Sequence, residues 1–97
     1  MSGQEQDFPL PPASFEFLVL SCKMQAEAHL GLFPTGKEEE PPERNFPMAR
    51  HAIDLLAVLQ EKTKGNLTLE EQRLLENSLT ELRFRYIQLL EESKKQS

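Results

Sequence analysis

The chain has a single cysteine, no tryptophan, and only two valines and two isoleucines among its 97 residues. One cysteine, Cys22, cannot close an internal disulfide, and no ligand cluster of zinc-site spacing surrounds it. A reducing, cytoplasmic setting is the expectation. The shortage of β-branched residues argues against strands, which draw on Val, Ile, Thr and aromatics. Sixteen leucines argue for helices, because Leu loses little side-chain freedom there.

Long apolar runs are missing as well. The richest, residues 15–22, is interrupted by Glu16 and Ser21 and falls far short of the ~20 residues that cross a bilayer. Residues 1–7 have neither the basic start nor the apolar stretch of a secretory signal, so none is expected. Asn66-Leu67-Thr68 matches a glycosylation acceptor, which without secretion reads as coincidence. Basic residues are few: 11 Lys and Arg stand against 16 Asp and Glu, for a net charge of −5. Duplex nucleic acid is bound chiefly by neutralising phosphates, so no nucleic-acid partner is expected.

What is present reads as an all-α fold. Residues 1–13, with Pro9, Pro11 and Pro12, are expected to be a flexible arm. Ser14 can cap a helix over about 15–30, with Gly31 as its left-handed stop. Residues 34–45 are acidic and proline-containing, include Glu38, Glu39 and Glu40, and are expected to form a disordered linker. A second helix spans about 46–64, with Pro47 in its first turn and Gly65 after its end. Thr68 and Glu71 then form a capping box, hydroxyl to the later amide and carboxylate back to the earlier one. The third helix runs over about 69–93, leaving 94–97 as a frayed tail. Helices two and three make an antiparallel αα-hairpin, and residues 14–93 form one domain.

Helical periodicity assigns faces. In helix two, Met48, Ala52, Leu55 and Leu59 recur at seam spacing, widened by Ala49, Ile53 and Leu56. Helix three answers with Leu75, Leu79, Leu82, Tyr86 and Leu89. Helix one has apolar residues to spare. Phe15, Leu18, Val19, Cys22 and Ala26 form one face, while Phe17, Leu20, Met24 and Ala28 form another pointing away from it. Phe84 and Ile87 lie outside the seam of helix three. One hairpin cannot cover both sides of helix one, and large uncovered apolar areas usually mark interfaces. The candidate interface therefore comprises Phe15, Phe17, Leu18, Leu20, Met24, Ala28, Phe84 and Ile87, and the expected partner is a second copy, most simply as a two-fold dimer.

Chemistry-bearing residues are sparse. His51 and Asp54 stand three apart on the polar face of helix two, where a solvated surface is the simpler reading than a general base, which needs a pocket. His29 near the end of helix one reads as interfacial. Cys22 lies on an apolar face and reads as a small buried hydrophobe. Lys62 through Asn66 lacks the strand and Gly-rich run of a phosphate loop and reads as turn chemistry. Arg83, Phe84 and Arg85 could stack on a base, although packing and surface ion pairing explain them first. No catalytic, cofactor or metal site follows, so the chain is read as a non-enzymatic self-associating interaction module. The alternatives are a membrane-surface protein acting through helix 15–30 and, least favoured, an enzyme with an intersubunit site at His51 and Asp54.

The stretch Ala49-Arg50-His51-Ala52-Ile53-Asp54-Leu55-Leu56, then Gln60-Glu61-Lys62-Thr63-Lys64-Gly65-Asn66-Leu67-Thr68, has a recognisable cadence. It continues through Glu70-Glu71, Leu74-Leu75-Glu76 and Leu82-Arg83-Phe84-Arg85-Tyr86. This resembles the bacterial domain-of-unknown-function family numbered 1844, over roughly residues 14–92. The resemblance implies a short, helical, cytosolic bacterial protein and transfers no catalytic residue or ligand.

Overall fold

A computed structural model of the chain describes residues 10–33 and 43–96. Among them are three helices and no strand: α1 (Phe15–His29), α2 (Phe46–Lys62) and α3 (Leu69–Gln96). The all-α fold read from the leucine-rich composition is the observed one. Leu30 at the end of α1 packs with Ala49 at the start of α2 and Leu89 near the end of α3. Successive helices therefore run antiparallel, up, down and up.

Each start is set locally. The Ser14 hydroxyl accepts from the Phe17 amide at 3.1 Å, satisfying one of the donors that the first turn leaves without an intrahelical partner. Asn45 does the same for α2, its Oδ1 accepting from the Met48 amide at 3.0 Å. The α3 box forms as expected: Thr68 N donates to Glu71 Oε1 at 2.9 Å, and Glu71 N donates to Thr68 Oγ1 at 3.1 Å.

The end of α1 is closed more completely than its glycine alone suggests. Gly31 adopts φ 73°, and its amide donates to Ala28 O while the Leu32 amide donates to Glu27 O, each at 3.0 Å. That crossed pair is the Schellman arrangement. The next two carbonyls are taken by residues from the far side of the linker. Asn45 N donates to His29 O at 2.8 Å, and Arg44 Nε donates to Leu30 O at 2.8 Å. A cation at the negative end of the α1 dipole is favourable in its own right. The segment 34–45 was expected to lack structure throughout. Arg44 and Asn45 correct that, because they latch the start of α2 to the end of α1. Residues 34–42 and 1–9, which carry the rest of the linker and most of the arm, lie outside the described residues.

The core holds Val19 and Ala26 from α1, Ala52, Ile53 and Leu56 from α2, and Leu75, Leu79 and Leu82 from α3. α1 packs more extensively on α2 than on α3. The contact is made through small residues: Ala26, Ala49 and Ala52 are all buried, and short side chains let helix axes approach. This partner rotates the buried face of α2 away from the seam read in the sequence. Ala49, Ala52, Ile53 and Leu56 are buried, whereas Met48 and Leu55 are exposed. A helix covered on two sides centres its buried arc between its partners, not on one of them.

Two boundary readings are corrected, and one helix-end residue proves to be core. α2 stops at Lys62, with Thr63 as its C-cap. The Thr63 hydroxyl and amide both donate to Leu59 O. Gly65 takes φ 85° in the turn. α3 continues through residue 96, so 94–96 extend the helix where a frayed tail was expected. Leu30, read only as a helix end, is fully buried.

One polar group sits badly. Ser78 is 1% exposed, and its hydroxyl has no hydrogen-bond partner among the described residues. A buried hydroxyl without a partner costs roughly 1–3 kcal/mol, and Ala is the better helix former. Ser78→Ala is therefore expected to raise stability by about 1 kcal/mol, read from the urea midpoint at unchanged m-value. A loss of stability would show that the hydroxyl has a partner after all.

Candidate interaction surface

The residues left over after the core is filled define the surface of interest. Successive helical residues turn by about 100°. Val19, Ala26 and the partly buried Phe15 and Cys22 share one side of α1. Phe17, Leu20, Met24 and Ala28 fall on the opposite side and are exposed, Phe17 by 43% and Met24 by 55%. Ser21 completes this stripe. No charge interrupts it: Glu16, Lys23 and Glu27 lie along one flank. Lys23 Nζ reaches Glu81 Oε1 at 3.0 Å, which identifies that flank as the one turned toward α3.

One member of the expected interface leaves it, and another stays although its face is corrected. Phe15 packs against the core cluster within the chain and leaves the exposed set. Leu18, placed with the core face in the sequence, is 45% exposed. It lies on the side of α1 away from the Lys23–Glu81 pair, and so toward α2. Leu55 of α2, which the sequence placed in a buried seam, is exposed along with Met48 and Val58. No signal within α2 alone could have found them, because the burial of Ala49 and Ala52 depends on α1 packing against that side.

Phe84 and Ile87 lie on the outer side of α3, opposite Leu75, Leu79 and Leu82, and are exposed by 65% and 59%. They sit one turn apart, on a different helix from the α1 stripe. Arg83 and Arg85 are exposed beside them.

The remaining candidates are placed as follows. His51 and Asp54 are both exposed on α2, and Asp54 faces Arg50 at 3.9 Å, not an imidazole held for catalysis. His29 borders an open depression with Ala28, Glu43, Arg44 and Asn45, formed by the latch at the end of α1. Cys22 is half-buried, and burial pushes its thiol pKa up. That keeps the sulfur protonated near neutral pH and less nucleophilic. The 62–66 turn borders a groove with Gln60, Glu61, Gln72 and Glu76. Two carboxylates there work against an anion, and the α3 N-terminus is already occupied by its own Glu71. Among the described residues no three His, Cys, Asp or Glu side chains converge as metal ligands would. No helix among them is long and apolar enough to cross a membrane.

Fold and surface together define a small all-α protein whose described residues form three helices with more apolar surface than their shared core uses. The chain belongs to the protein family described as Domain of unknown function (DUF1844), whose sequence pattern matches residues 12–88. The match begins just before the α1 cap and extends into the last third of α3, so it spans all three helices. No curated protein and no solved structure matches the chain.

Proposed function

We propose that this protein is a non-enzymatic helical module that works by self-association, as a homodimer, through the outer face of α1. The observation that carries the reading is the uncharged apolar stripe Phe17, Leu20, Met24 and Ala28, lying opposite the side of α1 that packs into the core. A face of this kind on water is a standing cost that a second apolar surface removes. A reducing, cytoplasmic setting fits the single, partly buried thiol. The exposed His51 and Asp54 give the enzyme reading little support.

The membrane-surface reading draws on the same stripe but has the wrong flank. Helices that lie on anionic membranes carry Lys and Arg along the polar side. Here that side offers Glu16, Glu27 and one lysine already paired to Glu81.

Light scattering across a concentration series is expected to give twice the 11.2 kDa of one chain at tens of micromolar. The double variant Phe17→Glu and Met24→Glu is expected to return the single-chain mass with its far-ultraviolet helix signal intact, because both side chains are outside the core. A single-chain mass for the unaltered protein overturns the proposal.

A further inference from the structure

The α1 stripe carries more than apolar character: its large and small residues alternate. Along its centre run Phe17, Ser21, Met24 and Ala28, separated by four, three and four residues, the spacing of a helix–helix seam. The order is large, small, large, small. A stripe of this kind has a register in which it matches itself. Turned end for end about a point between residues 22 and 23, Phe17 falls on position 28 and Met24 on position 21.

We infer that two copies pair through α1 in antiparallel register about a two-fold axis at that point, so that Phe17 of each copy packs on the partner's Ala28 and Met24 on the partner's Ser21. This rests on the self-association reading above and adds the register to it. Facing cores pack densely when large residues oppose small ones. A parallel pair in register does the opposite. It sets Phe17 on Phe17 and Met24 on Met24, holding the helices apart and leaving voids at the Ser21 and Ala28 layers. A two-fold axis across the helices also makes the interface isologous and self-closing, so association stops at two.

The available area fits a second copy. Phe17, Leu18, Leu20, Met24 and Leu55 are each between 41% and 55% exposed. With roughly 200 Å² for a large side chain, they and Ala28 present on the order of 500 Å² of apolar surface. An interface of standard size covers about 800 Å² per partner, of which about three-fifths is apolar. The patch therefore supplies the apolar part of one ordinary dimer interface, with Leu20 on one flank and Leu18 and Leu55 on the other.

Disulfide trapping tests the register in the full-length chain carrying Cys22→Ala, so that only introduced thiols report. In the antiparallel pair, Ala28 of one copy lies about 16 Å along the axis from Ala28 of the other, beyond the ~7 Å reach of a disulfide. Ala28→Cys alone is expected to stay uncrosslinked on a non-reducing gel. Mixed with Phe17→Cys chains under mild oxidation, it is expected to give a dimer band containing one chain of each kind. Crosslinking of Ala28→Cys with itself overturns the antiparallel register and leaves the dimer standing. A dimeric mass by light scattering with no crosslink in the mixture also overturns it and moves the interface elsewhere, with the Phe84 and Ile87 patch next to be tested. A single-chain mass overturns the self-association reading and the register together.

Discussion

Leu56→Ala is expected to lower the unfolding free energy by about 3 kcal/mol, within the range of roughly 2–5 kcal/mol seen for buried Leu truncations. Leu56 is fully buried and sits in the same cluster as Val19 of α1 and Leu75, Leu79 and Leu82 of α3. Removing its isopropyl group takes packing from both neighbouring helices at once, and a small helical core has little slack to collapse into the space. Domains of this size have only about 5–15 kcal/mol of stability in total, so the variant would lose a large share of it. Urea titration followed by circular dichroism measures the effect. A loss below about 1 kcal/mol, within the range of ordinary surface or conservative changes, would mean that Leu56 is not at the centre of the fold.

The second large effect comes from adding atoms. Ala26 has no exposed surface and lies on the alanine-lined side where α1 meets α2. Ala26→Leu inserts three carbons where helix axes are held close by short side chains. Overpacking of this kind costs about 1–3 kcal/mol. The distortion should fall mainly on α1, because the α2–α3 hairpin has its own capping box and seam. Amide hydrogen exchange is the discriminating measurement: protection is expected to drop in α1 while α2 and α3 keep theirs. Uniform loss across all three helices would instead show that the bundle unfolds as one unit.

The helices were legible because their signals are local. Ser14, Thr68 with Glu71, and the glycines at 31 and 65 act within a turn or two, and the α3 seam from Leu75 to Leu89 needs only a period of about 3.6 residues. The outer stripe of α1 was legible for the same reason. What was not legible depended on neighbours. Nothing in α2 alone says whether Leu55 or Ile53 faces inward, since both border the same apolar arc. The presence of α1 on the alanine side decides it. The period places Phe15 on the face of Val19 and Ala26, yet with two apolar faces on α1 nothing local says which of them the hairpin covers, and Phe15 enters the expected interface for that reason. Arg44 and Asn45 were hidden inside a compositionally polar stretch, and their role depends on two carbonyls fourteen and sixteen positions earlier in the sequence.

Those two hydrogen bonds have a practical corollary for engineering. They join Arg44 and Asn45 to the last carbonyls of α1, so the end of α1 and the start of α2 are held together directly. Between anchor points fixed in this way, added flexible chain costs little, about 0.6 kcal/mol for each doubling of length. An epitope or a fluorescent reporter spliced in after the Gly31–Leu32 turn and before Arg44 leaves those two hydrogen bonds, both helix caps and the alanine row in place.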